Sequence, residues 1–156
     1  MANALDAGDK APAFTLAADG GGTVSLKDFA GKALVLYFYP KDDTSGCTKE
    51  AIGFSEKIDA FKRAGAAVVG VSKDSVAAHD KFKAKYDLAI TLGSDPETKM
   101  ITAYGAWVEK SMYGRKYMGI DRSTFLIDGK GKIVRAWRKV KVPGHVEEVL
   151  AAVKAL

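Results

Sequence analysis

The sequence has little that would cross-link the chain, bind a metal or span a membrane. Its 156 residues include one cysteine, Cys47, and no apolar run that approaches the ~20 residues of a membrane span. A single cysteine excludes an internal disulfide and any zinc or iron–sulfur site built from several cysteines. The two histidines, His79 and His145, are distant in the sequence and have no ligand at metal spacing. We therefore expect surface or capping roles for both histidines, and neither a metal nor another cofactor.

Composition places the chain among ordinary globular proteins. Hydrophobic residues make up 47% and charged residues 28% of the sequence. The first ten residues carry mixed charges and lack the apolar core of a signal peptide. A chain of this length buries enough surface to fold without disulfides. We predict a single domain over residues 1–156, with no membrane association and a cytoplasmic location.

The net charge is +5, which moderately favours anionic partners. One of the densest basic stretches, residues 135–141, reads RAWRKVK and contains Trp137. Cations interleaved with an aromatic residue are found in single-strand nucleic-acid sites. They also occur on surface strands whose tryptophan packs inward. The run is short and no nucleic-acid-binding module is recognisable, so we do not expect nucleic-acid binding.

Hydrophobic patterning predicts an α/β domain. Residues 33–39, ALVLYFY, form a continuous apolar run typical of a strand buried on both faces, and residues 66–72 form a second one. The other predicted elements are a hairpin of residues 14–16 and 23–26, helices at 45–64, 75–86, 97–104 and 145–156, a strand at 89–92, and a hairpin of residues 123–128 and 132–137. This order predicts a thioredoxin-like fold, in which helices flank a central mixed sheet that carries an N-terminal β-hairpin.

The lone cysteine falls in the first turn of the helix that follows the first buried strand. Free amide groups and the positive end of the helix dipole meet there, and both favour a thiolate over a thiol of ordinary pKa near 8.5. On a helical wheel, Cys47 heads an apolar stripe with Ala51, Phe54, Ile58 and Phe61. Its sulfur should therefore be shielded from bulk water and close to the amide donors.

Two interpretations of this cysteine compete. Cysteines are commonly buried as small hydrophobic residues with no chemical role. A core position, however, needs no polar, glycine-containing approach, and here Thr44, Ser45 and Gly46 lead directly into Cys47. The approach favours a reactive sulfur.

The spacing Pro40-x-x-x-Thr44-x-x-Cys47 matches the active-site motif of the peroxiredoxins. The wider segment YFYPKDDTSGCTKEA, with DRSTFLID at residues 121–128, resembles the bacterioferritin comigratory protein (PrxQ) branch. The resemblance covers nearly the whole chain. It implies a thioredoxin fold and reduction of hydroperoxides through a cysteine sulfenic acid.

The resemblance also implies roles for individual residues. Cys47 would attack the peroxide as a thiolate, and the Thr44 hydroxyl would hold thiolate and peroxide in line. The Arg122 guanidinium would stabilise the thiolate and the charge on the leaving oxygen.

Pro40, Gly46 and Glu50 would complete the substrate-binding pocket. Pro40 would cover the sulfur and exclude water. Glu50 would either orient an arginine or be an ordinary exposed glutamate of the first helical turns. A further group, Trp107, Met112, Tyr113, Tyr117 and Met118, would form either an access groove for hydroperoxides or part of the core.

The sequence departs from the resemblance at the resolving cysteine. Many members of this branch carry it five residues after the first cysteine, where this chain has Ile52. The side chain of Ile52, apolar on a polar helix face, either packs under a loop or helps to dock a partner. With no second cysteine, the chain resembles the one-cysteine type, in which an external thiol reduces the sulfenic acid: thioredoxin, glutaredoxin, glutathione or another small thiol.

Two further outcomes stay open at this point. Two oxidised chains could join through a Cys47–Cys47 disulfide, although we expect a monomer or a weak dimer. The alternative function is a peroxide sensor or a thioredoxin-like redox binding module, in which Cys47 oxidises but hardly turns over.

Overall fold

A seven-stranded mixed sheet forms the centre of the computed structural model, which describes residues 5–156. Its strands are β1 (Thr15–Ala18), β2 (Thr23–Ser25), β3 (Ala33–Phe38), β4 (Ala66–Ser72), β5 (Thr91–Ser94), β8 (Ser123–Ile127) and β9 (Ile133–Trp137). They lie in the order β2-β1-β5-β4-β3-β8-β9. The β3–β4 and β4–β5 pairs are parallel, and the other pairs are antiparallel. The predicted α/β fold with a central mixed sheet and an N-terminal hairpin is confirmed.

Strand β3, which lies between β4 and β8 in the sheet, is buried along its whole length, as its apolar run predicted. Successive side chains of a strand point to opposite faces of the sheet, so β3 contributes to two cores. Val35 and Tyr37 pack with Cys47 and Phe54 on one face. Leu34, Leu36 and Phe38 pack into the second core on the other face.

Residues 5–156 contain five α-helices, which pack beside the sheet: α1 (Ser45–Glu56), α2 (Ile58–Arg63), α3 (Val76–Tyr86), α4 (Lys99–Ala103) and α5 (His145–Lys154). The prediction of one continuous helix over residues 45–64 is wrong, because the helix breaks at Lys57, which has φ −98° and ψ 7°. The break lets α1 pack against α5 while α2 packs against β4. A hydrogen bond also fixes the last turn of α1: the Ser55 hydroxyl accepts the N–H of Ala89, just before β5, at 2.6 Å.

Two other predicted boundaries move. The strand expected at residues 89–92 is β5, which begins at Thr91. The helix expected at residues 97–104 shortens to α4, because Thr98 adopts a positive φ of 60° that an α-helix cannot include. Among the described residues, no helix combines the length and the apolar character needed to cross a bilayer. Residues 1–4, which belong to the segment where no signal peptide is expected, lie outside the described residues.

The sequence patterning missed a second, two-stranded sheet. It consists of β6 (Trp107–Met112) and β7 (Arg115–Ile120), paired antiparallel. Tyr113 and Gly114 connect the strands with φ of 51° and 78°, the positive values of a two-residue hairpin turn. Such turns usually begin with Asn, Asp or Gly, so Tyr113 hides the signal. Four aromatic and methionine side chains here are 44–99% exposed, which rules out their assignment to the core: Met112, Tyr113, Tyr117 and Met118.

Candidate active site

Cys47 lies in the first turn of α1, which follows β3 at the carboxyl edge of the parallel strands. Its side chain is only 1% exposed. Thr44 is the N-cap residue, and the first turn of α1 contains no acidic residue. No carboxylate in that first turn therefore offsets the positive end of the helix dipole.

Arg122 brings a full positive charge to the sulfur. It immediately precedes β8, whose antiparallel register pairs Ser123 with Phe38 at the end of β3. Its Nη2 donates to the Cys47 Sγ at 3.3 Å, and its Nη1 donates to the Glu50 Oε1 at 2.6 Å. A guanidinium with one fork on a carboxylate and the other on a sulfur is fixed in orientation and stabilises an anionic sulfur.

Gly46 makes room for this approach. A Cβ at this position would lie 3.2 Å from the Arg122 Nη2, which is tighter than nine in ten real Cβ contacts, so the guanidinium would have to shift. The glycine that precedes the cysteine therefore allows the guanidinium to reach the sulfur.

Glu50 is the second buried charge of the site. It is 0% exposed, so the alternative of an ordinary exposed glutamate is wrong. Its Oε1 accepts from Arg122, while its Oε2 is buried without a hydrogen-bond partner. Burial raises the pKa of Glu50 to about 7, although the charge and hydrogen bond of Arg122 act in the opposite direction. Near neutral pH this carboxyl group is therefore poised between its charged and neutral forms.

Tyr37 places a second unpartnered polar atom in the same region. Its hydroxyl is buried without a hydrogen-bond partner, and its ring stacks on Phe54 with centroids 4.7 Å apart. The neighbouring strand makes space for it, because a Cβ on Gly70 would lie 2.7 Å from the Tyr37 ring. Burial, followed by the negative charges of Glu50 and Cys47, raises the pKa of Tyr37 well above its usual value. Tyr37 is therefore a neutral phenol at physiological pH.

Thr44 and Pro40 lie in the loop between β3 and α1, and the side chains of both are exposed. The Thr44 hydroxyl donates to the Lys41 carbonyl at 2.8 Å. The structure thus brings Arg122 and Glu50 together with Cys47, but it directs the Thr44 hydroxyl to the loop backbone rather than to the sulfur.

A buried ion pair that the sequence did not reveal anchors this loop. The Asp42 carboxylate faces the His79 Nδ1 at 2.7 Å and accepts the Tyr39 hydroxyl at 2.6 Å. The His79 Nε2 lies 2.9 Å from the Gly93 carbonyl, and the Asp42 N–H donates to Asp74 at 2.9 Å. Helix α3, strand β5 and the loop after β4 therefore hold Asp42, five positions before Cys47.

His79 is protonated on both ring nitrogens, because each nitrogen faces an acceptor oxygen: that of the Asp42 carboxylate or that of the Gly93 carbonyl. Burial alone would lower its pKa, but the hydrogen bond and charge of Asp42, with the Gly93 carbonyl and the charge of Asp74, raise the pKa overall. The prediction that both histidines serve surface or capping roles is wrong, since His79 is 0% and His145 is 4% exposed. Burial instead lowers the pKa of His145 to about 4, and this neutral ring is hydrogen-bonded to Thr124 at 2.8 Å.

The sequence held a signal for the buried position of His79. Within α3, the residue lies on the same helical face as Val76, Phe82 and Tyr86, and Phe82 is 2% exposed. A histidine on the apolar face of a helix indicates a buried and hydrogen-bonded ring. Its partner Asp42 is 37 residues away in sequence, so the pairing itself had no local signal.

Two other features of the described chain lie apart from this site. Within residues 5–156, no group of three or more His, Cys, Asp or Glu side chains is placed to hold a metal ion. A cavity of about 550 Å³ is lined by Phe14, Leu34 and Ile127. Leu34 is near the start of β3 and Ile127 ends β8, so this cavity is at the edge of the sheet opposite Cys47.

A thioredoxin-like sheet with a buried cysteine at a helix start beside an arginine defines the class as a peroxiredoxin. The chain belongs to the AhpC/TSA family, which matches residues 7–136. Within that family it belongs to the bacterioferritin comigratory protein (PrxQ) branch and is a thiol-dependent peroxidase.

Curated relatives and solved structures cover nearly the whole chain. A putative peroxiredoxin bcp from Coxiella burnetii is 53% identical over 94% of this chain and 97% of its own length. Peroxiredoxin Bcp from Bacillus subtilis is 48% identical over 96% of each chain. The structure of a cysteine-to-serine mutant of PrxQ from Xylella fastidiosa matches with a TM-score of 0.93 and 42% identity, over 99% of this chain and 98% of that one.

Peroxiredoxin Q from Xanthomonas campestris matches with a TM-score of 0.88 and 48% identity, over 91% of this chain and 90% of that one. Structures of two different single cysteine-to-serine mutants are known for it, so that protein has at least two cysteines. Trapped intermediate and ligand complexes of the Xanthomonas protein bear on its alkyl peroxide reduction activity.

Proposed function

We propose that this peroxiredoxin works by a one-cysteine mechanism, in which Cys47 is the nucleophile and another molecule supplies the reducing thiol. The observation that carries the proposal is that the only cysteine of the chain is buried at the start of α1 against the Arg122 guanidinium. Relatives with two cysteines can close an internal disulfide, and this chain cannot.

In the first half-reaction, the Cys47 thiolate attacks the terminal oxygen of a hydroperoxide. An S–O bond forms and the O–O bond breaks, so the sulfur is oxidised to a sulfenic acid. The peroxide is reduced to water or an alcohol once the leaving oxygen takes up a proton. Arg122 stabilises both the thiolate and the charge that moves onto the leaving oxygen.

In the second half-reaction, an external thiolate attacks the sulfenic sulfur, forms a mixed disulfide and expels hydroxide, which leaves as water. A second external thiol then releases Cys47 and carries away the disulfide. Thioredoxin, glutaredoxin, glutathione or another small thiol has the required chemistry. Such thiols are kept reduced in the cytoplasm, where we place the enzyme as a monomer or a weak dimer.

The neighbours of Cys47 have positioning roles in this proposal. Glu50 holds one fork of Arg122, and Gly46 leaves space for the other fork. Pro40 borders the entrance to the sulfur. The Thr44 hydroxyl now bonded to Lys41 turns to the bound peroxide or keeps the loop in shape for it.

Ile52 occupies the position where many relatives carry a resolving cysteine. Its side chain is half-buried and packs against the core that contains Phe54 and Phe61. This packing supports the interpretation of Ile52 as a structural residue.

A single-turnover experiment tests the proposal. Reduced protein mixed with one equivalent of hydrogen peroxide in stopped flow should consume it much faster than an ordinary free thiol does. Mass spectrometry after dimedone trapping should find one sulfenic acid, at Cys47. The Cys47→Ser variant should neither consume peroxide quickly nor form a sulfenic acid, and added dithiothreitol should restore turnover in the native chain.

A rate constant equal to that of a free thiol would exclude the peroxidase role of Cys47 and favour a redox sensor. Non-reducing electrophoresis of the oxidised protein would reveal a Cys47–Cys47 disulfide, which would contradict resolution by an external thiol.

A further inference from the structure

The β6–β7 hairpin exposes the largest apolar side chains that the described part of the protein presents to solvent. Tyr113 is 99%, Met112 56%, Met118 49% and Tyr117 44% exposed. Soluble proteins rarely expose several large apolar side chains next to one another unless the patch binds something. Aromatic residues, methionine and arginine are enriched at protein interfaces, and methionine adapts to irregular partner surfaces.

The two faces of this hairpin differ in charge. The cross-strand register places Lys110 opposite Tyr117 and Met112 opposite Arg115, all on one face. On the other face, Glu109 and Lys116 form an ion pair at 3.6 Å. Lys110 and Arg115 have no carboxylate within salt-bridge distance in the described residues. We call the first face, together with the tip residue Tyr113, the basic hairpin face.

The backbone of Tyr113, at the tip of the hairpin, has an unusual conformation. It adopts φ 51°, a conformation that L-residues with bulky side chains disfavour. Asparagine or glycine would suit this turn position better. A tyrosine held in a disfavoured conformation and left almost entirely in solvent contributes nothing visible to the fold. Disfavoured conformations cluster at sites of function.

The base of the hairpin adjoins the active site from two directions. Strand β7 ends at Ile120, two residues before Arg122, which contacts the sulfur. On the other side, the Lys73 ammonium lies 5.0 Å from the Trp107 ring at the start of β6. Lys73 is next to Asp74, which holds the backbone of the active-site loop. The base of the hairpin is therefore connected both to Arg122 and to the segment that holds the active-site loop.

We propose that the basic hairpin face docks the protein that reduces oxidised Cys47, a thiol protein with an acidic surface beside its reactive cysteine. The inference rests on the proposed function, because it needs an external thiol to attack the sulfenic sulfur. A protein thiol attacks the sulfenic sulfur only when the complex holds the two sulfur atoms in a defined orientation, so a docking surface is required. The two unpaired cations steer an acidic partner, and Tyr113, Tyr117 and Met112 supply apolar contacts.

The test compares two reductants on the same variants. The probes are a bacterial thioredoxin of acidic isoelectric point, recycled by NADPH and thioredoxin reductase, and dithiothreitol, which needs no docking surface. The variants are Tyr113→Asn, which suits the turn, the pair Met112→Ser with Tyr117→Ser, and the pair Lys110→Glu with Arg115→Glu. The matched control is Met118→Ser, a similarly exposed methionine on the opposite face of the hairpin.

We expect kcat/KM for thioredoxin to fall at least tenfold in the two double variants and severalfold in Tyr113→Asn. Dithiothreitol-supported turnover and single-turnover peroxide consumption should stay within twofold of the native values, as should every rate of Met118→Ser. Added salt should lower the thioredoxin rate of the native chain and leave that of the charge variant almost unchanged.

Several results would overturn this proposal. They are unchanged thioredoxin rates, an equal loss with both reductants, and turnover by dithiothreitol without turnover by thioredoxin. Sedimentation that shows the hairpin variants disrupting a stable dimer would assign the face to a second copy of the chain. Variant-sensitive binding to anionic phosphatidylglycerol vesicles would assign it to membranes. Failure of the one-cysteine mechanism is distinguishable, because the native chain would then form no sulfenic acid with peroxide.

Discussion

Two ion pairs, each with a buried carboxylate, flank the active-site loop, and they differ in how many of their polar atoms have hydrogen-bond partners. In the His79–Asp42 pair, both ring nitrogens and both carboxylate oxygens have partners, between 2.6 and 2.9 Å away. In the Arg122–Glu50 pair, one carboxylate oxygen accepts from Arg122 at 2.6 Å and the other has no partner. The first pair does not touch the sulfur, while Arg122 in the second donates to it.

This difference separates an anchor from a reactive group. A fully hydrogen-bonded buried network fixes one geometry. A buried carboxyl group with a free oxygen is costly to ionise, and its charge becomes adjustable near neutral pH. The Glu50 charge sets how much of the Arg122 charge is left for Cys47. We infer that His79–Asp42 holds the loop and that Glu50–Arg122 adjusts the electrostatics of the sulfur.

We expect the largest loss in the free energy of unfolding from removal of the His79–Asp42 ion pair, which holds the active-site loop. His79→Leu leaves Asp42 buried without its charged partner, which should lower the free energy of unfolding by about 3 kcal/mol in urea denaturation. The matched control is His145→Leu, which removes a neutral hydrogen bond and should cost about 1 kcal/mol. Equal losses in the two variants would contradict the distinction between the two histidines.

The same anchor predicts a pH dependence. Because the pKa of His79 is raised above its unfolded value of 6.5, its stabilisation is complete below that pH. It is lost as the pH rises through the folded pKa. The stability deficit of His79→Leu relative to the native chain should therefore be smaller at alkaline pH than below pH 6.5 in urea denaturation.

Glu50 should affect the stability of the protein in a different pH window. The pKa of Glu50 is about 7 in the folded protein, compared with 4.5 for a free glutamate carboxyl group, so the folded state binds more protons between these two pH values. The free energy of unfolding should consequently fall by about 3 kcal/mol from this group as the pH rises from 4.5 to 7. Glu50→Gln, which still accepts from Arg122, should lack this decline, whereas the exposed-site control Glu56→Gln should retain it. Parallel stability–pH curves for the native and Glu50→Gln proteins would show that Glu50 is not neutralised by burial.

Variants of Arg122 test whether the Arg122–Glu50 ion pair controls the reactivity of Cys47. Arg122→Ala removes the charge that faces the sulfur, and single-turnover peroxide consumption should slow about 100-fold, equivalent to about 2.7 kcal/mol. Arg122→Lys keeps a charge but loses the two-pronged geometry, so its rate should lie between those of the native and alanine variants. Arg135→Ala, which breaks an exposed ion pair with Glu148, should react as the native chain does. A rate within threefold of native in Arg122→Ala would remove Arg122 from the mechanism.

The sequence predicted the fold wherever local patterning decides the structure. The continuous apolar runs of β3 and β4 and the order of elements were sufficient for the sheet, and the basic stretch of β9 buries Trp137 as expected of a surface strand. The break at Lys57 had no local mark, because neither glycine nor proline is present there. The β6–β7 hairpin was missed because its turn begins with Tyr113 and its strands are mostly exposed.

The positions of Cys47 and Arg122 in the candidate site could be predicted from the sequence, whereas the contacts that support them could not. The helix position of Cys47 follows from its place after β3, and Arg122 follows from its place before β8. The burial of Glu50 depends on Arg122, which is 72 residues away. The anchor formed by His79 likewise joins distant segments. Such pairings depend on tertiary structure, and one sequence read by periodicity contains no trace of them.

The substitution with the smallest expected effect on peroxide consumption is at Thr44, which lies in the sequence between Asp42 and Glu50. Its hydroxyl donates to Lys41, inside the loop that Asp42 anchors, and makes no capping bond to α1. Thr44→Val keeps the shape and removes the donor, so peroxide consumption should slow about tenfold, or about 1.4 kcal/mol. Thr44→Ser should react within twofold of the native chain. If Thr44→Val instead destabilises the fold while its reaction with peroxide stays native, the hydroxyl belongs to the anchor and has no part in holding the peroxide.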